Sequence, residues 1–261
     1  WPAFAQQVKA AGYDGVETDV PADERERNVM LEALAACGLL LIAQHWETVT
    51  PDFDAHLAAY TERLERLAAV LPVCINAQTG RDFFTREQNG ELLAAAAAVS
   101  AATGIPVYHE THRGKFSFAA HVTAAYLREL PALQLTLDVS HWITVAESLL
   151  FLEEQRSAVS LAIARTRHIH ARVGHTQGPQ VSDPRVPEWQ DALHQHLACW
   201  DEVYRLNKQA GVQQLTVTPE FGPPPYMPLL PDTLQPVADQ WEINCYMRSL
   251  LNSRYNLNPF E

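Results

Sequence analysis

The chain is poor in cysteine and contains no long apolar run. Its 261 residues include four cysteines, which lie far apart and lack the paired spacing of zinc or redox motifs. We interpret them as free thiols of a protein that works in the reducing cytoplasm. No apolar run approaches the roughly 20 residues that a helix needs to cross a membrane, so we expect no membrane partner.

Positive charge is also scarce, and this limits the class of partner. Lysine and arginine total 19, aspartate and glutamate total 31, and the formal net charge is −12 at pH 7. Binding to a nucleic-acid backbone depends on a basic surface. We therefore expect no nucleic-acid partner. The sequence leaves open whether copies of the chain form a homo-oligomer.

Helical and strand-like segments alternate along the whole chain. Eight segments have the apolar spacing of helices, among them 87–103, 145–165 and 232–251, and seven short apolar runs are typical of buried strands. This alternation predicts parallel βαβ units, and the length matches the roughly 250 residues of a (β/α)8 TIM barrel. We predict the α/β class and a single TIM-barrel domain over residues 1–261. Because a closed barrel needs eight strands, we expect its first strand to precede Trp1.

Four of the later strand-like runs end on a residue that can bind a metal ion. They are Glu110 after PVYH, Asp138 after LQLTL, His170 in HIH and Glu220 after LTVTP. The carboxyl ends of barrel strands meet at one mouth, so we expect these side chains to lie close together. Three carboxylates there would repel one another unless a cation compensated them. Oxygen ligands with one imidazole favour Mn²⁺, Mg²⁺ or Co²⁺, and Zn²⁺ is also compatible.

Histidines beside these ligands are further candidates. We expect His168 and His170 to point to opposite sides of their strand, so that His170 faces the mouth and His168 packs or hydrogen-bonds behind it. The reverse assignment stays open. His141 follows Asp138 on the same predicted loop, where it could hold a substrate hydroxyl or support a carboxylate. We favour substrate contact.

The order of these motifs resembles the xylose-isomerase-like barrel superfamily. The resemblance rests on KAAGYDGVE at 9–17, the D-x-x-H of Asp138 and His141, the H-x-H of His168 and His170, and Glu220. That superfamily includes sugar-phosphate isomerases and epimerases, ketose 3-epimerases, inosose dehydratases and endonuclease IV. The resemblance covers nearly the whole chain and implies a TIM barrel.

The resemblance also implies roles for the four strand-end residues. In the ketose 3-epimerases, one divalent metal ion is held by ligands that match Glu110, Asp138, His170 and Glu220. The two glutamates would then be the catalytic acid and base, on opposite faces of the substrate, with α-proton abstraction through a metal-stabilised enediolate. The chain departs from these epimerases after Glu110, where THRGKF lacks a further glutamate, and after His170, where Thr176 replaces an arginine.

Other strand ends and loops supply candidate substrate contacts. A sugar ring could stack on Trp46, although this residue could equally cap the core. A basic cluster of His112, Arg113 and Lys115, with more arginines in the next loop, would suit an anionic carbohydrate; ordinary loop charge is the alternative. The predicted substrate-binding residues are Glu17, His45, Trp46, His112, His141, Arg172 and Arg185.

These residues lead to one functional prediction and three alternatives. We predict a metal-dependent isomerase or epimerase of a sugar or sugar derivative. The first alternative is a lyase of the inosose-dehydratase kind, which would share the proton abstraction but expel a β-hydroxyl. A nuclease like endonuclease IV would need three zinc ions, more histidines and a basic groove. In a non-catalytic sugar-binding or protein-binding barrel, Glu110 and Glu220 would have no catalytic role, so their presence argues against this alternative.

Overall fold

The computed structural model describes residues 1–255, and these form two compact units. Unit 1 consists of Trp1–Glu110 and Gly114–Ser117, and unit 2 of Thr111–Arg113 and the chain from Phe118. Helices alternate with parallel strands in both units, which confirms the predicted α/β class. None of the helices in this part of the chain is long and apolar enough to cross a membrane. A single domain over residues 1–261 stays a prediction.

Unit 1 begins with a helix and contains four helices and four strands. They are α1 (Pro2–Ala10), β1 (Gly15–Thr18), α2 (Glu24–Ala36), β2 (Leu40–His45), α3 (Phe53–Ala68), β3 (Cys74–Ala77), α4 (Arg86–Thr103) and β4 (Val107–Glu110). The strands pair in chain order, with Thr18 opposite Ala43, and Ala77 opposite both His45 and His109. Their carboxyl ends therefore lie along one edge of the sheet.

Helix α4 shows how the local sequence sets the boundaries of an element. Thr85 and Gln88 form a reciprocal capping box at its start, which satisfies backbone N–H groups that have no partner inside the helix. Gly104 ends the helix in the left-handed region at φ 74°, where a residue without Cβ is favoured. The helix predicted over 87–103 differs from the observed one by a single residue.

Unit 2 contains five α-helices and three strands in its described residues. They are α5 (Ala120–Glu129), β5 (Leu135–Leu137), α6 (Val139–Ala146), α7 (Glu153–Arg165), β6 (Thr166–His170), α8 (Gln190–Gln209), β7 (Thr216–Thr218) and α9 (Gln240–Tyr255), with a short 3-10 helix over Pro187–Trp189 before α8. The strands are again parallel and in chain order, with Leu137 opposite Ile169 and His170 opposite Thr218.

Two helices of unit 2 differ from the sequence-based expectation. The helix predicted over 145–165 is two helices, because Glu147 and Leu150 take positive φ angles of 47° and 63° that interrupt it. Helix α6 starts directly after Asp138, so His141 lies in a helix and the predicted loop is wrong. The helix predicted over 232–251 is observed as α9, which begins only at Gln240 and continues to Tyr255.

Candidate active site

Asp138 follows β5 with a fully buried carboxylate that is held at both oxygens. Its Oδ1 accepts hydrogen bonds from the backbone N–H of Ser140 at 2.9 Å and from the Ser140 hydroxyl at 2.5 Å. Its main chain is bound on both sides to Thr111 Oγ1, which accepts from the N–H and donates to the carbonyl at 2.8 Å each. The second oxygen, Oδ2, accepts from Arg172 at 2.5 Å. The direction of the carboxylate is therefore fixed.

Arg172 is a buried cation that several polar groups share. It is 2% exposed, and its Nη2 atom lies 2.5 Å from Asp138 Oδ2, 3.6 Å from Glu220 Oε2 and 2.8 Å from His141 Nε2. Its guanidinium carbon lies 4.8 Å from the ring centre of Tyr226. We call Arg172, Asp138, His141, His170 and Glu220 the Arg172 cluster.

His170 and Glu220 complete this cluster. Nδ1 of His170 lies 2.8 Å from Oε2 of Glu220, the same oxygen that faces Arg172. The imidazole is fully buried, whereas the Glu220 side chain is 26% exposed. Unit 2 thus gathers three of the predicted metal ligands, and two carboxylates with one imidazole are a suitable donor set for a divalent cation.

Burial determines the proton affinities in the cluster. Burial raises the pKa of Asp138 above its ordinary value, and the ion pair with Arg172 acts in the opposite direction. Burial lowers the pKa of His141 well below its ordinary value, and the neighbouring His112 and Arg172 add to this. The neutral imidazole of His141 accepts from Arg172 through Nε2 and so carries its proton on Nδ1.

His168 lies on the same side of β6 as His170, so the expectation of opposite sides was wrong. Their ring centres are 5.1 Å apart with an interplanar angle of 86°. Side chains alternate along a strand, and residues two positions apart therefore share a face. Nδ1 of His168 lies 2.7 Å from the hydroxyl of Thr216, and Nε2 lies 3.5 Å from that of Thr218. These bonds agree with the supporting role expected for His168.

Glu110 lies in unit 1 among side-chain amides. Nδ2 of Asn76 donates to Glu110 Oε2 at 3.0 Å and to Glu17 Oε1 at 2.8 Å. Nε2 of Gln78 lies 3.2 Å from both carboxylate oxygens of Glu110, and the Ser117 hydroxyl donates to its main-chain carbonyl at 2.5 Å. Glu110 is fully buried. Two predicted site residues, Glu17 and Glu110, are therefore joined through Asn76.

Two predicted substrate contacts of unit 1, His45 and Trp46, differ in solvent exposure. His45 is fully buried, with Nε2 2.8 Å from the Thr48 hydroxyl. Burial and the charge of Lys115 lower the pKa of His45 to about 3. His45 is thus a neutral, fully buried histidine, and its role as a substrate contact stays a prediction. Trp46 is 49% exposed, so about half of its surface is open to a ligand.

Lys115 is a buried cation of unit 1. It is 6% exposed, so ordinary loop charge does not describe it. Burial lowers its pKa to about 8, the charge of Arg81 adds to this, and Glu110 opposes it.

The predicted contacts of unit 2 divide into two groups. The His112 ring lies 3.9 Å from that of His141, centre to centre, and so adjoins the Arg172 cluster. Arg185 instead forms an ion pair with Asp183 at 2.7 Å, and its guanidinium lies 5.8 Å from the ring centre of Tyr246.

Comparison with solved structures shows the fold, whereas no protein-family model and no curated protein matches the chain. A probable 3-DHS dehydratase from Bacillus anthracis has 15% identity and a TM-score of 0.58, covering 96% of this chain and 93% of that one. A sugar phosphate isomerase/epimerase from Parabacteroides distasonis has 12% identity and a TM-score of 0.58, and the match covers 97% of this chain and 92% of that one. A xylose isomerase domain protein from Salmonella typhimurium has 14% identity and a TM-score of 0.57, and the match covers 98% of this chain and 92% of that one. The chain therefore has the fold of the xylose-isomerase-like TIM-barrel proteins that its motifs resemble.

Proposed function

We propose that the protein is a divalent-metal-dependent isomerase or epimerase of a sugar or sugar derivative. The observation that carries this proposal is the Arg172 cluster, in which Asp138, His170 and Glu220 come together in unit 2. Asp138 and Glu220 supply carboxylate oxygens and His170 supplies an imidazole nitrogen. These donor atoms are of the types that bind divalent metal ions.

Glu110, Asp138, His170 and Glu220 would hold one Mn²⁺, Mg²⁺ or Co²⁺ ion, with Zn²⁺ also compatible. When bound, the ion would polarise a substrate carbonyl and make the neighbouring C–H bond more acidic.

Glu110 and Glu220 are the proposed proton carriers. The amides of Asn76 and Gln78 hold the carboxylate of Glu110 in one orientation, as proton abstraction from carbon requires. Glu220 contacts His170 and is partly exposed, so it can exchange a proton. One glutamate would remove the α-proton, and the other would return a proton to the opposite face of the same carbon.

The proposed substrate is a small carbohydrate, and an anionic group on it is compatible with the charges of unit 2. The guanidinium groups of Arg113 and Arg172 lie 5.7 Å and 4.8 Å from the ring centre of Tyr226. Two cations at one aromatic ring suit a carboxylate or phosphate. His112 and His141 could position hydroxyl groups, and Trp46 could stack on a sugar ring.

Metal analysis followed by deuterium exchange tests the proposal. Elemental analysis should find a divalent metal that co-purifies with the protein. The metal-loaded protein should then incorporate deuterium from D₂O at the α-carbon of at least one member of a panel of ketoses, keto-inositols and 3-keto-glycosides. Chelator-treated protein and the double variant Glu110→Gln with Glu220→Gln should not. Full exchange by the double variant would reject the roles given to these glutamates.

A dehydratase of the inosose-dehydratase kind is the second candidate. It is supported by the similar structure from Bacillus anthracis that is described as a probable 3-DHS dehydratase. Such an enzyme would use the same proton abstraction but would expel a β-hydroxyl as water. An unsaturated ketone, detected by its ultraviolet absorbance, would identify the dehydratase, whereas α-carbon exchange without this product would identify the isomerase or epimerase.

A further inference from the structure

We propose that Arg172 is a resident counter-ion that competes with the metal ion for Asp138 and Glu220. In the metal-free protein the guanidinium would neutralise these carboxylates, and metal binding would have to displace its ion pairs. The inference rests on the proposed metal site, because it concerns two of the ligands assigned there. The inference adds that the metal ion taken up from solution replaces the guanidinium of Arg172 as the partner of the two carboxylates.

The first support is the oxygen of Asp138 that Arg172 contacts. Ser140 occupies Oδ1 with two hydrogen bonds, one from its backbone N–H and one from its hydroxyl. The oxygen that can serve another cation is therefore Oδ2, and Nη2 of Arg172 lies 2.5 Å from it. A metal ion bound to Oδ2 would lie close to the guanidinium in a buried site, where like charges repel strongly.

The second support is that Glu220 repeats this arrangement. Its Oε2 atom lies 2.8 Å from Nδ1 of His170 and 3.6 Å from Nη2 of Arg172. The oxygen that is next to the proposed imidazole ligand thus also faces the guanidinium. Arg172 therefore contacts one oxygen of each acid that the proposed metal ion would also need.

The third support is burial. Asp138 and His170 are fully buried, and Arg172 is 2% exposed, so solvent does little to screen the carboxylates. A buried ion pair that loses one partner leaves the other uncompensated, which is strongly destabilising. The charge of an arginine is permanent. Arg172 can therefore keep the empty site folded, and a bound divalent ion can take over that function.

The substitution Arg172→Met tests the exchange, because it removes the charge and keeps much of the side-chain volume. Thermal denaturation should be measured with chelator and with saturating Mn²⁺, and the affinity for Mn²⁺ by competition with a fluorescent chelator. Without metal, the variant should melt about 5 °C or more below the wild type. With saturating Mn²⁺ this difference should shrink, and the dissociation constant should fall by about tenfold or more.

Two further variants serve as comparisons. Arg172→Lys keeps a positive charge but loses the planar fork, and its affinity for Mn²⁺ should lie between those of the wild type and Arg172→Met. Arg205→Gln removes an exposed arginine that pairs with Glu202 on α8, and it should change neither the melting temperature without metal nor the affinity.

The outcomes separate this inference from the proposed function. If Arg172→Met binds Mn²⁺ as weakly as the wild type or more weakly, Arg172 supports the site and the inference is overturned while the metal site stands. If neither protein binds Mn²⁺, both proposals fail. A variant that folds only with Mn²⁺ supports the exchange, and a variant that fails to fold even with saturating Mn²⁺ rejects it.

Discussion

Nδ2 of Asn76 lies 3.0 Å from Oε2 of Glu110, and both side chains are inaccessible to solvent. The same amide nitrogen donates to Glu17 at 2.8 Å. An amide that donates to two carboxylates keeps them close together without adding charge. Asn76 therefore determines both the orientation of Glu110 and the charge balance around it.

The substitution Asn76→Asp should destabilise the protein in a pH-dependent way. It replaces a donor by a third carboxylate, which should cost about 2–4 kcal/mol in the free energy of unfolding at pH 8. Repulsion from Glu17 and Glu110 would raise the pKa of the introduced carboxyl in the folded variant, so this variant takes up a proton as the pH falls. The loss should therefore be smaller at pH 5 than at pH 8 in urea unfolding.

Asn76→Ala provides the control for this experiment. It removes the two hydrogen bonds but adds no carboxylate, so its stability loss should vary little between the two pH values. If Asn76→Asp and Asn76→Ala show the same pH dependence, the amide does not act by separating the charges of Glu17 and Glu110.

Asp138→Asn should lower the metal content of the purified protein and leave it folded. The amide oxygen can still accept from Ser140, but the amide nitrogen would face Nη2 of Arg172 and weaken metal binding. Breaking the buried ion pair should cost about 3 kcal/mol, which a domain with a typical stability of about 5–15 kcal/mol tolerates. Circular dichroism reports the fold, and elemental analysis reports the metal.

Asp201→Asn is the matched control for that variant. Asp201 pairs with Arg254 on an exposed surface, where an ion pair contributes little stability. Its metal content should equal that of the wild type. Unchanged metal content in Asp138→Asn would reject Asp138 as a ligand.

Ser140→Ala should weaken metal binding although it leaves every proposed metal ligand in place. The Ser140 hydroxyl donates to Asp138 Oδ1 at 2.5 Å and lowers the pKa of this carboxyl. Without it, the carboxylate is less firmly oriented and holds a proton more tightly. The affinity for Mn²⁺ should fall by about 10- to 100-fold, as is typical when a hydrogen bond to a metal ligand is lost.

Ser249→Ala removes a comparable hydroxyl whose hydrogen bond does not involve the Arg172 cluster, since Ser249 donates to the Cys245 carbonyl within α9. Its affinity for Mn²⁺ should not change. An equal fall in both serine variants would indicate a general loss of stability rather than an effect on Asp138.

The strand-end residues could be predicted from the sequence because the signal is local. An apolar run that stops at a carboxylate or imidazole is visible in the chain, as at Asp138 and Glu220. The same rule would have found Asn76, which is the third residue of β3, if amides had been considered together with charged ligands. The α/β class followed similarly from the alternation of elements.

Other features depend on tertiary contacts that the sequence does not reveal. The short apolar helix α6 could be taken for part of a loop after the strand, which misplaced His141. Arg172 has a long side chain, and its ion pair with Asp138 joins residues 34 positions apart. Burial of His45 depends on the packing of unit 1, which no local pattern reports.

His109 should make the protein less stable in mild acid. Burial lowers its pKa to about 3, while the same imidazole in the unfolded chain has a pKa of about 6.5. Between these values the unfolded state binds more protons, so the stability that depends on neutral His109 is complete above pH 6.5. It is lost as the pH falls, by up to about 1.4 kcal/mol per pH unit.

The variant His109→Gln should reduce this slope. Nδ1 of His109 lies 2.7 Å from the hydroxyl of Thr79, which lies 2.8 Å from that of Tyr60, so the variant should also be less stable than the wild type at pH 8. Urea unfolding between pH 5 and pH 8 measures both effects. His121→Gln, at an exposed position of α5, should keep the slope of the wild type. A slope that His109→Gln leaves unchanged would mean that other buried groups, such as His45 with its pKa of about 3, cause the acid sensitivity.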